Sequence, residues 1–142
     1  MPEQYTQFAP ALAAGQQNET VVAGEFEYRG ILLVQPPPGK HPFDRYLPDG
    51  RSIEIKLDLR SQRTANGCIE YPTLQRGADI YIHTFTYARV YTHAEYEWLY
   101  NHGKVPASGG VGEQQYEGRY ISKVEMRAQG LFLDTFIKAL KQ

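Results

Sequence analysis

The sequence predicts an α/β domain: a mixed central β-sheet flanked by helices, with one β-hairpin at its centre. Three observations predict it. Helical spacing and strand alternation interleave along the 142 residues. Pro48-Asp49-Gly50 is a turn signature set between two alternating runs. With 42% hydrophobic and 22% charged residues the chain has the composition of a globular domain, not a disordered one. The length fits one such domain, residues 16–142, preceded by an N-terminal arm, 1–15, that carries Pro2, Pro10 and an Ala-rich patch.

The elements follow in order. Over residues 16–29, Glu19, Val22, Ala23 and Phe26 fall on one helical face, and Gly30 supplies a C-terminal cap. The apolar run Ile31-Leu32-Leu33-Val34 predicts a short strand buried on both faces, stopped by Pro36-Pro37-Pro38. Residues 43–47 and 51–59 form the hairpin. In its second strand Ile53, Ile55, Leu57 and Leu59 face one way, and Ser52, Glu54, Lys56 and Asp58 the other. Residues 68–71 predict a short strand and 78–86 a clearer one, rich in Ile, Tyr, Phe and Thr. A helix over 93–102, a Gly-rich loop over 103–118, a strand over 119–126 and a helix over 131–141 complete the chain. In the last helix Phe132, Leu133, Phe136, Ile137 and Leu140 share a face.

Composition excludes several function classes. A single cysteine, Cys68, rules out an internal disulfide framework and a multi-cysteine zinc site. No apolar run approaches the roughly 18 residues of a membrane helix, and the N-terminus lacks a signal-peptide pattern, so a cytoplasmic location is expected. His83, His93 and His102 have no metal-ligand spacing, and no Gly-Lys-Ser/Thr follows the glycines around Val111-Gly112. The net charge of −1 argues at first against a nucleic-acid partner.

The chemistry lies in the hairpin. Glu54 and Lys56, two apart, project side by side from one strand face. If the turn centres on Asp49, Asp44 stands opposite Glu54, at a Cβ separation of about 4.5–5.5 Å that lets two carboxylates share one divalent ion. Lys56 beside them is placed to orient a water or stabilise developing negative charge. Glu19 lies on the apolar face of the first helix, where a carboxylate is costly unless paired or metal-bound.

The order of these residues resembles the PD-(D/E)XK nuclease superfamily, specifically its small phage and bacterial members. A helix carries an inward Glu19, a strand follows, then Asp44 on a second strand and Glu54-Ile55-Lys56 on a third. The run Ile53-Glu54-Ile55-Lys56-Leu57-Asp58, then Thr64-Ala65-Asn66 and Cys68-Ile69-Glu70, extends the similarity, as does Ala78-Asp79-Ile80. It covers residues 19–85; beyond His93 the chain shows no motif of the family.

The resemblance implies a restriction-endonuclease-like core whose hairpin carries the site, and Mg²⁺- or Mn²⁺-dependent hydrolysis of DNA phosphodiester bonds. Asp44, Glu54 and the Ile55 carbonyl would be the metal ligands, Lys56 and Glu19 would complete the catalytic set, and Glu70 and Asp58 are additional candidates. Asp44 is preferred to Asp49, because Pro48-Asp49 sits where a turn favours both residues for conformational reasons alone. Duplex, branched and single-stranded DNA all remain open as substrates. A structure-selective enzyme that pairs two sites in a homodimer, as a Holliday-junction resolvase does, follows by analogy of size, with the host cytoplasm as its compartment if phage-borne. The alternative is a nuclease-fold module that binds nucleic acid or protein without cutting. The charge balance also changes on this reading: setting Glu19, Asp44 and Glu54 aside leaves 13 acids against 15 bases. Arg45, Arg51, Arg60 and Arg63 are then the candidates for a basic rim that meets the phosphates.

Overall fold

In a computed structural model the chain folds around a five-stranded mixed sheet with helices on both faces. The structure describes residues 2–39, 41–59, 61, 64–105 and 118–142, with the backbone alone for 2–9. Arg60, Arg63 and most of the Gly-rich loop, including Val111 and Gly112, lie outside the described residues.

The first helix, α1 (Pro2–Tyr28), begins well before the apolar face that predicts it and incorporates the segment expected as an arm. Its end is set by Gly30 at φ 86°: the Gly30 N–H donates to Glu27 O (2.9 Å) and the Ile31 N–H to Phe26 O (2.9 Å), the paired closure of a left-handed helix cap. Val22 and Phe26 are buried as their spacing requires.

Residues 31–34 do not form the buried strand expected of them. Val34 makes a single bridge to Tyr46, and Leu32 and Val34 are 69% and 51% exposed. The segment lies outside the two-residue strand β1 (Arg45–Tyr46), and the three prolines that follow donate nothing to a ladder. The hairpin itself forms: β1 pairs antiparallel with β2 (Ser52–Leu57), Arg45 opposite Ile53 and Tyr46 opposite Ser52. Gly50 at φ 97° closes the turn, its N–H donating to Leu47 O at 2.9 Å.

From β2 the chain crosses through β3 (Asn66–Glu70) and the one-turn helix α2 (Tyr71–Gln75) to β4 (Ile80–Thr84), which pairs parallel with β2. Ser52 and Asp79 fix that register reciprocally. The Asp79 carboxylate accepts from the Ser52 N–H (2.9 Å) and hydroxyl (3.1 Å), and Ser52 Oγ accepts from the Asp79 N–H (2.9 Å). β5 (Ala88–Thr92) returns antiparallel to β4 and β7 (Leu131–Phe132) closes the far edge, giving the order β1-β2-β4-β5-β7. β3 does not join this sheet; it pairs with β6 (Gly118–Ser122) in a separate two-stranded ribbon.

Several elements depart from sequence expectation. α2 is a helical turn where no helix is expected. Leu131–Phe132, expected to open the last helix, form β7 instead, leaving Phe132 51% exposed. β5 follows β4 after a tight turn, in a stretch where the sequence predicts no element. Residues 123–126, expected to continue a strand, instead open α4 (Lys123–Ala128), because Ser122 caps it by accepting from the Glu125 N–H at 3.1 Å. α3 (His93–Asn101) starts on a full capping box between Thr92 and Glu95, and α5 (Leu133–Leu140) ends the chain with Leu133 and Ile137 buried. Among the described residues no helix is long and apolar enough to cross a membrane.

Each sheet face has its own core. Val22, Phe26, Ile53, Ile80, Ile82 and Ile137 join α1 and α5 to one face. Tyr81, Phe85, Tyr91, Tyr96, Leu99 and Met126 join α3, α4 and the ribbon to the other. Within the second core lies a buried polar chain. Asp58, 4% exposed, accepts from Cys68 N–H (2.7 Å), Ser61 N–H (3.1 Å) and His83 Nε2 (2.9 Å), and His83 Nδ1 faces the Tyr96 hydroxyl at 2.7 Å. A carboxylate can only accept, so it fixes the proton on His83 Nε2. Burial alone would raise the Asp58 pKa; the bonds from His83, Cys68 and Ser61 outweigh it and hold the carboxyl below its ordinary value. This one side chain ties the end of β2, the ribbon and β4 together. Replacing it (Asp58→Ala) strands three buried donors and should cost about 3–5 kcal/mol in urea unfolding at neutral pH.

Candidate active site

The hairpin register places Asp44 where parity puts it. With Arg45 opposite Ile53, the next residue back, Asp44, falls opposite Glu54, one step beyond the end of β1. Backbone pairing stops there and the side chain takes over: Asp44 Oδ2 accepts from the Ile55 N–H at 2.8 Å, while the Asp44 N–H donates to Ile53 O at 3.1 Å. Asp49 has a different task. Its carboxylate accepts from the backbone N–H and Nε of Arg51, both at 3.0 Å, within the exposed turn.

Glu54 and Lys56 project from the same face of β2, beside Tyr81 and His83 of β4. Glu54 is only 4% exposed. Its Oε2 forms an ion pair with Arg76, and its Oε1 is buried with no hydrogen-bond partner among the described residues. Desolvation, with the neighbouring charge of Asp44, pushes its carboxyl up to about 7 against the opposing pull of Arg76 and Lys56. Lys56 pairs with Glu70, the last residue of β3, so the ribbon delivers an acid to the site although it belongs to another sheet.

Glu19 arrives from α1, over the strand edge, and its Oε1 pairs with Arg45. Arg45 also donates to the Asp44 backbone carbonyl at 2.8 Å, so one guanidinium ties the Glu19 carboxylate to the backbone at Asp44. Burial and the charge of Asp44 raise the Glu19 carboxyl, and Arg45 partly offsets them. Asp44 therefore sits electrostatically between Glu19 and Glu54, raising both.

Between α1 and the free edge of β2 lies a cleft of about 400 Å³, lined among others by Gly15, Glu19, Ile55, Lys56, Asp58 and Glu70. Glu54 does not line it; its carboxylate is buried beside Arg76. The structure thus brings Glu19, Asp44, Glu54, Lys56 and Glu70 into one region, with Ile55 at its edge and Asp58 engaged in the buried chain behind it. The expected basic rim is differently disposed. Arg45 is turned inward onto Glu19 and Arg51 onto Asp49.

Arg76 escapes sequence reading because no local pattern links it to Glu54. The link is topological. Parallel pairing sets Tyr81 beside Glu54, and the Tyr81 hydroxyl pins the end of α2, donating to Leu74 O (2.9 Å) and accepting from the Ala78 N–H (3.1 Å). Arg76, the C-cap of that helix, is carried over Glu54 as a result. A basic residue a few positions before a parallel strand is the signal that would have found it.

Among the described residues no three His, Cys, Asp or Glu side chains form a ready-made metal cage. Each of three acids instead has a cation: Arg45 on Glu19, Arg76 on Glu54 and Lys56 on Glu70. Compared with protein-family models, curated proteins and solved structures, the chain has no match.

The raised Glu54 carboxyl links stability to pH. The folded protein binds this proton more tightly than the unfolded chain, so the contribution is fully present below the ordinary glutamate value of 4.5 and is lost as pH rises to about 7. Glu54→Gln should therefore melt close to wild type at pH 4. Its advantage should grow with pH to several degrees by pH 8, then level off in thermal unfolding curves.

Proposed function

We propose that the protein is a metal-dependent endonuclease of the PD-(D/E)XK type that hydrolyses phosphodiester bonds in DNA. The observation that carries this reading is the register that sets Asp44 opposite Glu54, with Lys56 on the same strand face. The order of elements supports it as well: helix with Glu19, bridged segment at Val34, hairpin, then a parallel strand reached by a crossover. A restriction-endonuclease-like core is part of the same proposal.

The residues fit a hard divalent cation. Glu54 Oε1 is a buried carboxylate oxygen without a partner among the described residues, and Asp44 brings a second carboxylate to it. Mg²⁺ commonly takes only one or two protein carboxylates and keeps several waters, so a three-acid cage is not required. Such an ion would polarise a phosphate and lower the pKa of a bound water. Asp44 and Glu54 would hold it, with the Ile55 carbonyl as a further oxygen. The chain's own chemistry is carried by Lys56, whose ammonium Glu70 steers to the cleft wall, where it can orient a water or meet the charge that develops on the phosphate. Glu19, anchored through Arg45, fixes the backbone at Asp44 and so acts as a positioning residue.

A second reading has an observation of its own. Because Glu19, Glu54 and Glu70 are already neutralised by basic side chains, the same fold could serve as a binding module that does not cut. Cleavage assays on plasmid, single-stranded and branched DNA separate the two. With Mg²⁺, Glu54→Ala and Lys56→Ala should each lower the rate by about 10²–10³-fold, and chelator should abolish it. Equal trace cleavage by wild type and variants would mean that the site does not cut.

The two aspartates give an independent check. Asp44→Asn should lose activity while Asp49→Asn, which alters only the exposed turn, stays near wild type. The reverse result would move the site to the turn.

A further inference from the structure

Glu54 and Arg76 form an unequal pair. The Glu54 side chain is 5% exposed, whereas the Arg76 side chain is 51% exposed and its guanidinium bonds to no other described group. A buried carboxylate without a counter-charge is strongly disfavoured, so Arg76 supplies what Glu54 needs when nothing else is bound. Arg45, by contrast, is 14% exposed and donates both to Glu19 and to the Asp44 carbonyl, which holds it in place. Arg76 sits at the end of a single helical turn, ahead of Gly77 at φ 71°, and only its tip reaches the carboxylate. Of the two arginines at the site, it is the one free to let go.

We propose that Arg76 is an exchangeable counter-ion: it neutralises Glu54 in the metal-free protein, yields that carboxylate to an incoming divalent cation, and then offers its guanidinium to a phosphate of the bound nucleic acid. The proposal rests on the metal-dependent reading above. A dication held by Asp44 and Glu54 would neutralise both carboxylates, and its charge would repel the Arg76 guanidinium. Released at the solvent-facing side of the site, the planar fork matches two phosphate oxygens, a geometry an ammonium lacks. Arg76 thereby provides one of the phosphate contacts that Arg45 and Arg51, occupied elsewhere, do not.

The test is calorimetric titration of the full chain with Mn²⁺ at pH 8.5, without DNA. Arg76→Gln removes the competitor and should bind Mn²⁺ about threefold to tenfold tighter than wild type, while Glu54→Gln binds it more weakly. Arg76→Lys retains the charge and should bind Mn²⁺ as wild type does. In Ca²⁺, with a labelled duplex followed by fluorescence anisotropy, both Arg76 variants should bind DNA several-fold more weakly. The salt slope of Arg76→Gln should fall by about one. Unchanged or weaker Mn²⁺ binding by Arg76→Gln, with wild type binding normally, overturns the exchange and leaves the nuclease reading standing. Absence of Mn²⁺ binding by wild type overturns both.

Discussion

A carboxylate buried in the second strand of the sheet is the constraint on which the rest of the site depends. Glu54 is held there by parallel pairing with β4, opposite Tyr81, and its position is not negotiable: Ser52 and Asp79 clip the register two residues away. Everything around Glu54 can be understood as compensation. Arg76 comes from the end of α2, Lys56 flanks it on the same strand, and Oε1 accepts no hydrogen bond from any described residue. Such an arrangement contributes little to stability, since a buried ion pair rarely recovers its desolvation cost. Its place on a sheet face otherwise lined by buried aromatic side chains such as Tyr81 and Tyr91 is what sets this region apart from ordinary core.

The second acid of the site illustrates the same economy of parts. β3 and β6 are separate from the main sheet, yet Glu70 at the end of β3 reaches Lys56. The ribbon is held at the correct height by Asp58, which binds the Cys68 N–H on β3 and His83 on β4 at once. A residue engaged in the buried chain thus determines where an acid on another sheet is presented. Asp58 accordingly belongs to the support of the site, although it follows Lys56 by only two residues.

Sequence reasoning reached the parts of this arrangement that depend on local periodicity. Strand parity and a turn centred on Asp49 were enough to set Asp44 opposite Glu54, because a hairpin is specified by its turn and by the alternation of its strands. The same holds for the face of α1 and for its cap at Gly30. What escaped depends on distant context. The apolar run at Ile31 looked like a buried strand, but whether both faces are covered is decided by neighbours that periodicity does not show. α4 was hidden because its first residues, Lys123 and Val124, suit a strand as well as a helix, and Ser122 with Glu125 carried the deciding cap. Arg76 and the inward turn of Arg45 could not be read from spacing, since each partner lies more than 20 residues away.

The bond from the Ile55 N–H to Asp44 has a consequence beyond chemistry. β1 covers only Ser52 and Ile53, so the outer edge of β2 beyond them would present an unpaired backbone donor to any passing strand. Edges of this kind recruit other chains, and proteins guard them with charges placed on the edge itself. Asp44 does so by occupying the donor with a charged side chain. One carboxylate thus guards a strand edge against self-association and, on the proposed reading, also serves as a metal ligand. Asparagine at this position keeps an acceptor for Ile55 and gives up only the charge, whereas alanine gives up both and leaves the edge uncovered.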